Sequence, residues 1–166
     1  SAESAYLLRY DTYQGNHTIA CNLIGTNGDS SISFPLTDNN FNNWIYVTFT
    51  YDGNSLKLYK NGELYSEVND SVGLVESGSS IITIGCEENL NFAGDYTGVI
   101  DEVSIWNKGL SILEIQENMN SELDGNEEGL VGYWNFNMGE GDTVFDHSPN
   151  QSNGAIYGAS WIENIE

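Results

Sequence analysis

The chain has 166 residues, with 4 Lys+Arg against 25 Asp+Glu and a formal net charge of −21. Hydrophobic residues make up 39% and aromatics 12%, too many for a disordered acidic tail and enough at this length to close one core. The charge excludes a nucleic-acid ligand, because Arg9, Lys57, Lys60 and Lys108 are the whole cationic supply and lie far apart.

Anionic membrane surfaces are disfavoured on the same ground. No apolar run approaches the roughly 18 to 20 residues of a membrane span, so membrane insertion is not expected. No signal-peptide pattern is visible, which reads as a mature form or an excised piece. An acidic, Asn-rich surface fits an extracellular setting.

Turn residues recur every 8 to 12 positions between short alternating runs, the pattern of an all-β sandwich. Asn16 precedes a strand over Thr18–Leu23. Trp44 to Tyr65 reads as a three-stranded meander, with Asp52-Gly53 and Asn61-Gly62 as its tight turns. Ser80–Gly85 is a further expected strand. Gly98–Trp106 is another, with Val99, Asp101, Val103 and Ile105 on one face. A carboxylate there must be paired, hydrogen-bonded or metal-bound, and capping of backbone amides is the favoured role for Asp101.

Ser111 and Glu114 form a capping-box pattern that opens one short helix. Ile112, Ile115, Met119 and Leu123 follow at helical spacing, and Gly125 ends the segment. Gly129–Phe136, Asp142–Phe145 and Ala155–Trp161 read as the last strands. Trp44, Trp106 and Trp134 lie in strand runs and are expected in the core. Cys21 and Cys86 make no zinc site; they are two buried free thiols or a single disulfide. No repeat or linker interrupts the sequence. The expectation is one domain over residues 1–166, an antiparallel two-sheet jelly-roll sandwich with one short helix.

The run Trp44-Ile-Tyr-Val-Thr-Phe-Thr-Tyr-Asp-Gly, with Leu58-Tyr-Lys-Asn-Gly-Glu-Leu, resembles the central hairpins of laminin-G-like, concanavalin-A-like jelly rolls. Gly98-Val-Ile-Asp-Glu-Val-Ser-Ile-Trp and Gly129-Leu-Val-Gly-Tyr-Trp-Asn-Phe resemble the later strands of the same family. The likeness covers residues 35–161. The family's usual opening strand motif is missing, which implies that the segment from Gly129 to Trp161, or a second chain, completes an open sheet edge. The fold serves lectins, adhesion modules and glycosidase accessory domains alike, so it does not fix function.

The glucanases of this fold carry Glu-x-Asp-x-x-Glu on one strand. The best frame here reads Val99, Asp101 and Ser104, so both glutamates fail. His17 and His147 lie in polar, turn-like stretches and are expected in exposed loops. No catalytic residue and no enzyme activity is expected.

Calcium needs six to eight oxygens on flexible loops. The segment from Gly85 to Asp95 looks similar to the calcium loop of pentraxins. The resemblance implies Glu87, Glu88 and Asn89 as ligands, with Asp95 in the same loop and Asn16 at the position of an Asp-Asn pair. At most one Ca²⁺ is expected as cofactor, the alternative being a solvated acidic hairpin loop. A second acidic stretch, Asp146 to Gly154, fits Asx-turns as readily as ligands.

Sugar faces stack on aromatic rings, and hydroxyls bond to Asp and Asn. Tyr13 and Tyr96 in polar stretches, and Trp161 at the end of the last strand, are the candidate ligand-binding rings. The chain is read as a non-catalytic extracellular or cell-surface recognition module whose partner is a glycan or an extracellular protein. The alternative is a structural spacer that self-associates through its open edge into a homo-oligomer.

Overall fold

A computed structural model describes residues 6–13, 15–69, 71–75, 81–86 and 96–162. By contacts the chain divides into two compact units, one of residues 1–97 and 109–119, the other of residues 98–108 and 120–166.

The first unit is an antiparallel sandwich. Strands β1 (Tyr6–Tyr13), β2 (Asn16–Gly25) and β3 (Gly28–Pro35) form one sheet in that order. Strands β4 (Val47–Tyr51), β5 (Ser55–Lys60) and β6 (Glu63–Asn69) form the other, and β3 faces β5 and β6. Alternation decides what each face carries. Cys21 lies between Leu8 and Ile32 in the ladder, so Cys21, Leu23, Ile32 and Phe34 point inward and meet Leu56 and Leu58 from the second sheet. Each such buried side chain stabilises the fold by roughly 1.5–3 kcal/mol. The opposite face of the first sheet carries Arg9, Asp11, Thr18, Asn22, Ser31 and Ser33. Arg9 donates from Nε to Asp11 Oδ2 at 2.8 Å on this face.

Turn chemistry fixes the meander. The Asp52 carboxylate accepts the amides of Asn54 and Ser55 at 2.9 and 2.8 Å, closing the turn between β4 and β5. Asn61 and Gly62 both take positive φ, 51° and 76°, as a two-residue hairpin turn requires. Asn61 also accepts the Tyr46 amide on Oδ1 at 2.9 Å. Helix α1 (Ile112–Asn120) reaches this hairpin, with Gln116 Nε2 donating to the Gly62 carbonyl at 3.0 Å. Its capping box is formed: Ser111 N donates to Glu114 Oε2 at 2.7 Å, and Glu114 N to Ser111 Oγ at 3.3 Å. At the rim of the core, Asn27 N donates to Val72 O at 2.9 Å. A side chain at Gly25 would fall on that Val72 carbonyl, so the close approach needs glycine.

In the second unit β7 (Val103–Trp106) pairs antiparallel with β8 (Leu130–Trp134), and β9 (Thr143–Val144) with β10 (Gly154–Ala155). Trp134 is buried, and its indole donates to the Ser152 carbonyl at 3.2 Å.

Several sequence expectations need correction. Residues 81–86 form no strand, and Ile81 and Ile82 are 68% and 51% exposed. They find no hydrogen-bonding edge among the described residues, and β-branched composition alone does not make a strand. The strand expected from Gly98 begins only at Val103, because Glu102 takes φ 53° and breaks the alternation. Asp101 therefore leaves the apolar face and lies exposed, accepting the Glu102 amide at 3.0 Å. Trp44 is 58% exposed and lies ahead of β4, not in the core. Trp106 is half-buried. The final strand is two residues long, Gly154–Ala155, and Trp161 lies outside it. The helix stops at Asn120, short of Leu123. Cys21 and Cys86 are both free, and Cys86 is only partly buried.

Candidate functional site

At one end of the first sheet four rings form a continuous chain. Tyr10 lies opposite Ile19 in the β1–β2 ladder, and His17 opposite Thr12. Both therefore share the inward-facing parity of the sheet. The two rings stack, with centroids 5.8 Å apart and planes at 17°, and the Tyr10 hydroxyl is hydrogen-bonded to His17 Nδ1. Tyr96 meets Tyr10 edge-on at 5.9 Å and 80°. Phe41 meets His17 edge-on at 5.0 Å and 82°. Edge-to-face and offset contacts of this kind are the preferred arrangements of aromatic quadrupoles, worth about 0.5–1.5 kcal/mol each.

Backbone bonds hold the outer two rings in place. The Tyr96 amide donates to Gly85 O at 2.8 Å. Asn43 Nδ2 donates to the carbonyls of Asn39 and Phe41 at 3.1 and 3.2 Å, folding the loop that presents Phe41. Leu36 N donates to His17 O at 2.7 Å. Tyr10 and His17 are half-buried, whereas Tyr96 and Phe41 remain 40% and 38% exposed. Exposed Asn16, Asn39 and Asn42 are near neighbours of His17 and Phe41 in the chain. The result is an aromatic surface with amide hydrogen-bonding groups close by in sequence. That is the chemistry a pyranose ring needs, apolar C–H faces against rings and hydroxyls against amides.

Of the residues singled out from sequence, Tyr96 belongs to this cluster. Tyr13 and Asn16 face each other across the β1–β2 hairpin, and Asn16 immediately precedes His17. His17 is a strand residue stacked on Tyr10, not an exposed loop residue. Tyr10 and Phe41 were not foreseen. Strand parity could have paired Tyr10 with His17 once the hairpin register was known, but nothing in the sequence places Phe41 beside them. Glu87, Glu88, Asn89 and Asp95 lie outside the described residues. Among the described residues, no group of three or more His, Cys, Asp or Glu is placed to hold a metal ion.

Two acidic residues of the second unit, Asp146 and Glu102, are engaged with the protein itself. The Asp146 carboxylate is 5% exposed. Its Oδ1 accepts the amides of Tyr133 and Ser148 at 2.9 and 2.8 Å, and its Oδ2 accepts the Ser152 amide and the Ser148 hydroxyl at 2.7 and 2.9 Å. Burial pushes this carboxyl up, but these bonds outweigh it and hold it below the ordinary aspartate value. The stretch from Asp146 thus serves turns. Glu102 is different: burial pushes its carboxyl up, the Tyr133 hydroxyl that donates to it at 2.6 Å partly offsets this, and the charges of Asp101 and Glu122 add to the rise. Trp161, also in this unit, donates from Nε1 to the Gly141 carbonyl at 2.8 Å.

A family model described as the concanavalin A-like lectin/glucanases superfamily matches residues 1–116. No curated protein matches the chain significantly. Among solved structures, the chain is similar to a candidate carbohydrate-binding protein from Bacteroides ovatus, with 17% identity, a TM-score of 0.61 and coverage of 92% of this chain and 47% of that one. A second similarity is to an S-layer domain-containing protein from Clostridium thermocellum, with 23% identity, a TM-score of 0.36 and coverage of 63% of this chain and 54% of that one. The chain thus spans about half the length of the solved proteins it resembles.

Proposed function

The chain belongs to the laminin-G-like family of the concanavalin A-like lectin/glucanases superfamily, and from that premise we propose that it is a non-catalytic carbohydrate-recognition module acting outside the cell. The observation that carries this reading is the ring chain Tyr96–Tyr10–His17–Phe41, whose two outer members stay exposed on a hydrogen-bonded framework. Rings held in fixed orientation lose little freedom when a sugar stacks on them, so preorganisation favours binding. The Bacteroides ovatus protein of similar fold is itself described in carbohydrate-binding terms, which agrees with the reading.

Calcium dependence is part of the proposal. Acidic loop residues Glu87, Glu88 and Asp95 with Asn89 would hold one ion, Asn16 contributing an amide oxygen, and a cation would relieve repulsion in a chain of net charge −21.

A glycan array at fixed millimolar calcium tests the reading. The wild-type chain binds at least one glycan class, and Phe41→Ala with Tyr96→Ala removes most of that signal without lowering the melting temperature by more than a few degrees. An array on which the wild type binds nothing ends the carbohydrate reading and leaves a spacer role.

A further inference from the structure

The second unit presents two rings of its own. Ile156 N donates to Asp142 O at 2.9 Å, continuing the β9–β10 pairing of Thr143 with Ala155, and the next residue, Tyr157, is 81% exposed. Four residues on, the Trp161 indole is tied to Gly141 O at 2.8 Å and remains half-buried. Ile156, the residue before Tyr157, and the Trp161 indole are therefore fastened to two consecutive residues of one loop, Asp142 and Gly141. The bond takes up the indole N–H, the polar group of Trp161, and fixes the direction of the ring.

Space around this loop is open. A Cβ built at Gly139, Gly141 or Gly158 meets nothing within 4 Å. Glu140 and Asp142 are exposed beside the loop glycines and supply hydroxyl acceptors. A tyrosine this exposed contributes nothing to the core, and an exposed aromatic four residues before an oriented indole, on a segment tied to the same loop, offers a flat apolar ligand face two rings to stack on.

We propose that Tyr157 and Trp161 form a second saccharide-binding platform, in the second unit, selective for neutral or amino sugars. This deepens the carbohydrate reading above and rests on it. The selectivity follows from charge. The loop carries Glu140 and Asp142, and the second unit holds a single cationic side chain among its described residues, Lys108, within a molecule of net charge −21. Sulfated and uronic-acid polymers are repelled, while hydroxyl and ammonium donors are welcomed by the carboxylates.

Native affinity electrophoresis of the whole chain through gels containing galactomannan, xyloglucan, glycol chitosan or heparin provides the test. The wild type is retarded by at least one of the first three polymers and not by heparin. On that polymer Tyr157→Ala weakens retardation at least threefold with an unchanged thermal melt, and Trp161→Phe weakens it by releasing the ring from Gly141. The combined Phe41→Ala and Tyr96→Ala variant keeps a residual retardation that Tyr157→Ala abolishes. If Tyr157→Ala and Trp161→Phe both migrate as wild type while the Phe41/Tyr96 variant loses binding, the second platform is refuted and the carbohydrate reading stands. If heparin retards the wild type through Tyr157, the selectivity is refuted. If no polymer retards the wild type, both proposals fall.

Discussion

The Asp146 carboxylate accepts the Tyr133 amide at 2.9 Å, joining positions 13 residues apart on β8 and the turn that follows β9. With Ser148 and Ser152 it makes Asp146 the hydrogen-bonding hub of the second unit. Asp146→Ala leaves several buried donors without a partner and should destabilise by about 3 kcal/mol. Asp146→Asn keeps one oxygen for Tyr133 and Ser148 but sets an amide NH₂ against the Ser152 N–H, and should cost about 2 kcal/mol. Urea unfolding of both variants checks the order. Equal stability of Asp146→Ala and the wild type would show that water satisfies these donors.

The acidic groups of this unit oppose each other in pH. Asp146 is held below its ordinary value, so its contribution is present above the usual aspartate pKa of about 4 and is lost as pH falls through the lower folded value. Glu102 is raised, chiefly by burial, so its contribution is present in acid and is lost as pH rises through its raised value. Glu102→Gln should therefore raise the melting temperature at pH 7 and leave it unchanged near pH 3. A melt series in which the variant gains nothing at neutral pH would contradict this sign.

Burial pushes the Cys21 thiol up to about 12, whereas Cys86 is partly exposed. A thiol reagent at pH 7.5 should modify one cysteine per folded chain, Cys86, and the second only after unfolding, because the thiolate is the reactive form. Mass spectrometry of tryptic peptides identifies the labelled site. Labelling of Cys21 at the same rate as Cys86 would mean the sandwich opens readily.

Removing the helix cap should be felt in the first unit. Ser111→Ala deletes the acceptor for the Glu114 amide and costs about 1 kcal/mol. The loss appears as a lower urea midpoint with unchanged slope.

Calcium at millimolar concentration should raise the melting temperature, and chelation should reverse it. A melt insensitive to both would remove the ion from the proposed function.

What the sequence made legible was local. Asp52-Gly53 and Asn61-Gly62 announced the meander because only a few residue types accept those turn geometries. The Ser111–Glu114 pair announced the helix for the same reason. Ile81 to Ile84 misled because a strand needs a neighbour as well as β-branched side chains. Glu102 misled because a positive φ is uncommon for glutamate and nothing in the residue's identity signals it. At the candidate site, Tyr96 stood out as a ring in polar company. Tyr10, His17 and Phe41 did not, since they come together only through hairpin register and a loop path.

Strand β2 pairs on both sides, and its odd-numbered residues Ile19, Cys21 and Leu23 line the interior while Thr18 and Asn22 look the other way. Natural variation can thus rewrite the half-buried outer positions 18 and 22 more readily than the inner lettering, while Ala20 between them is itself buried. A homologue with a very different exterior on this sheet, or a laboratory library randomised at positions 18 and 22, can inherit the same framework intact.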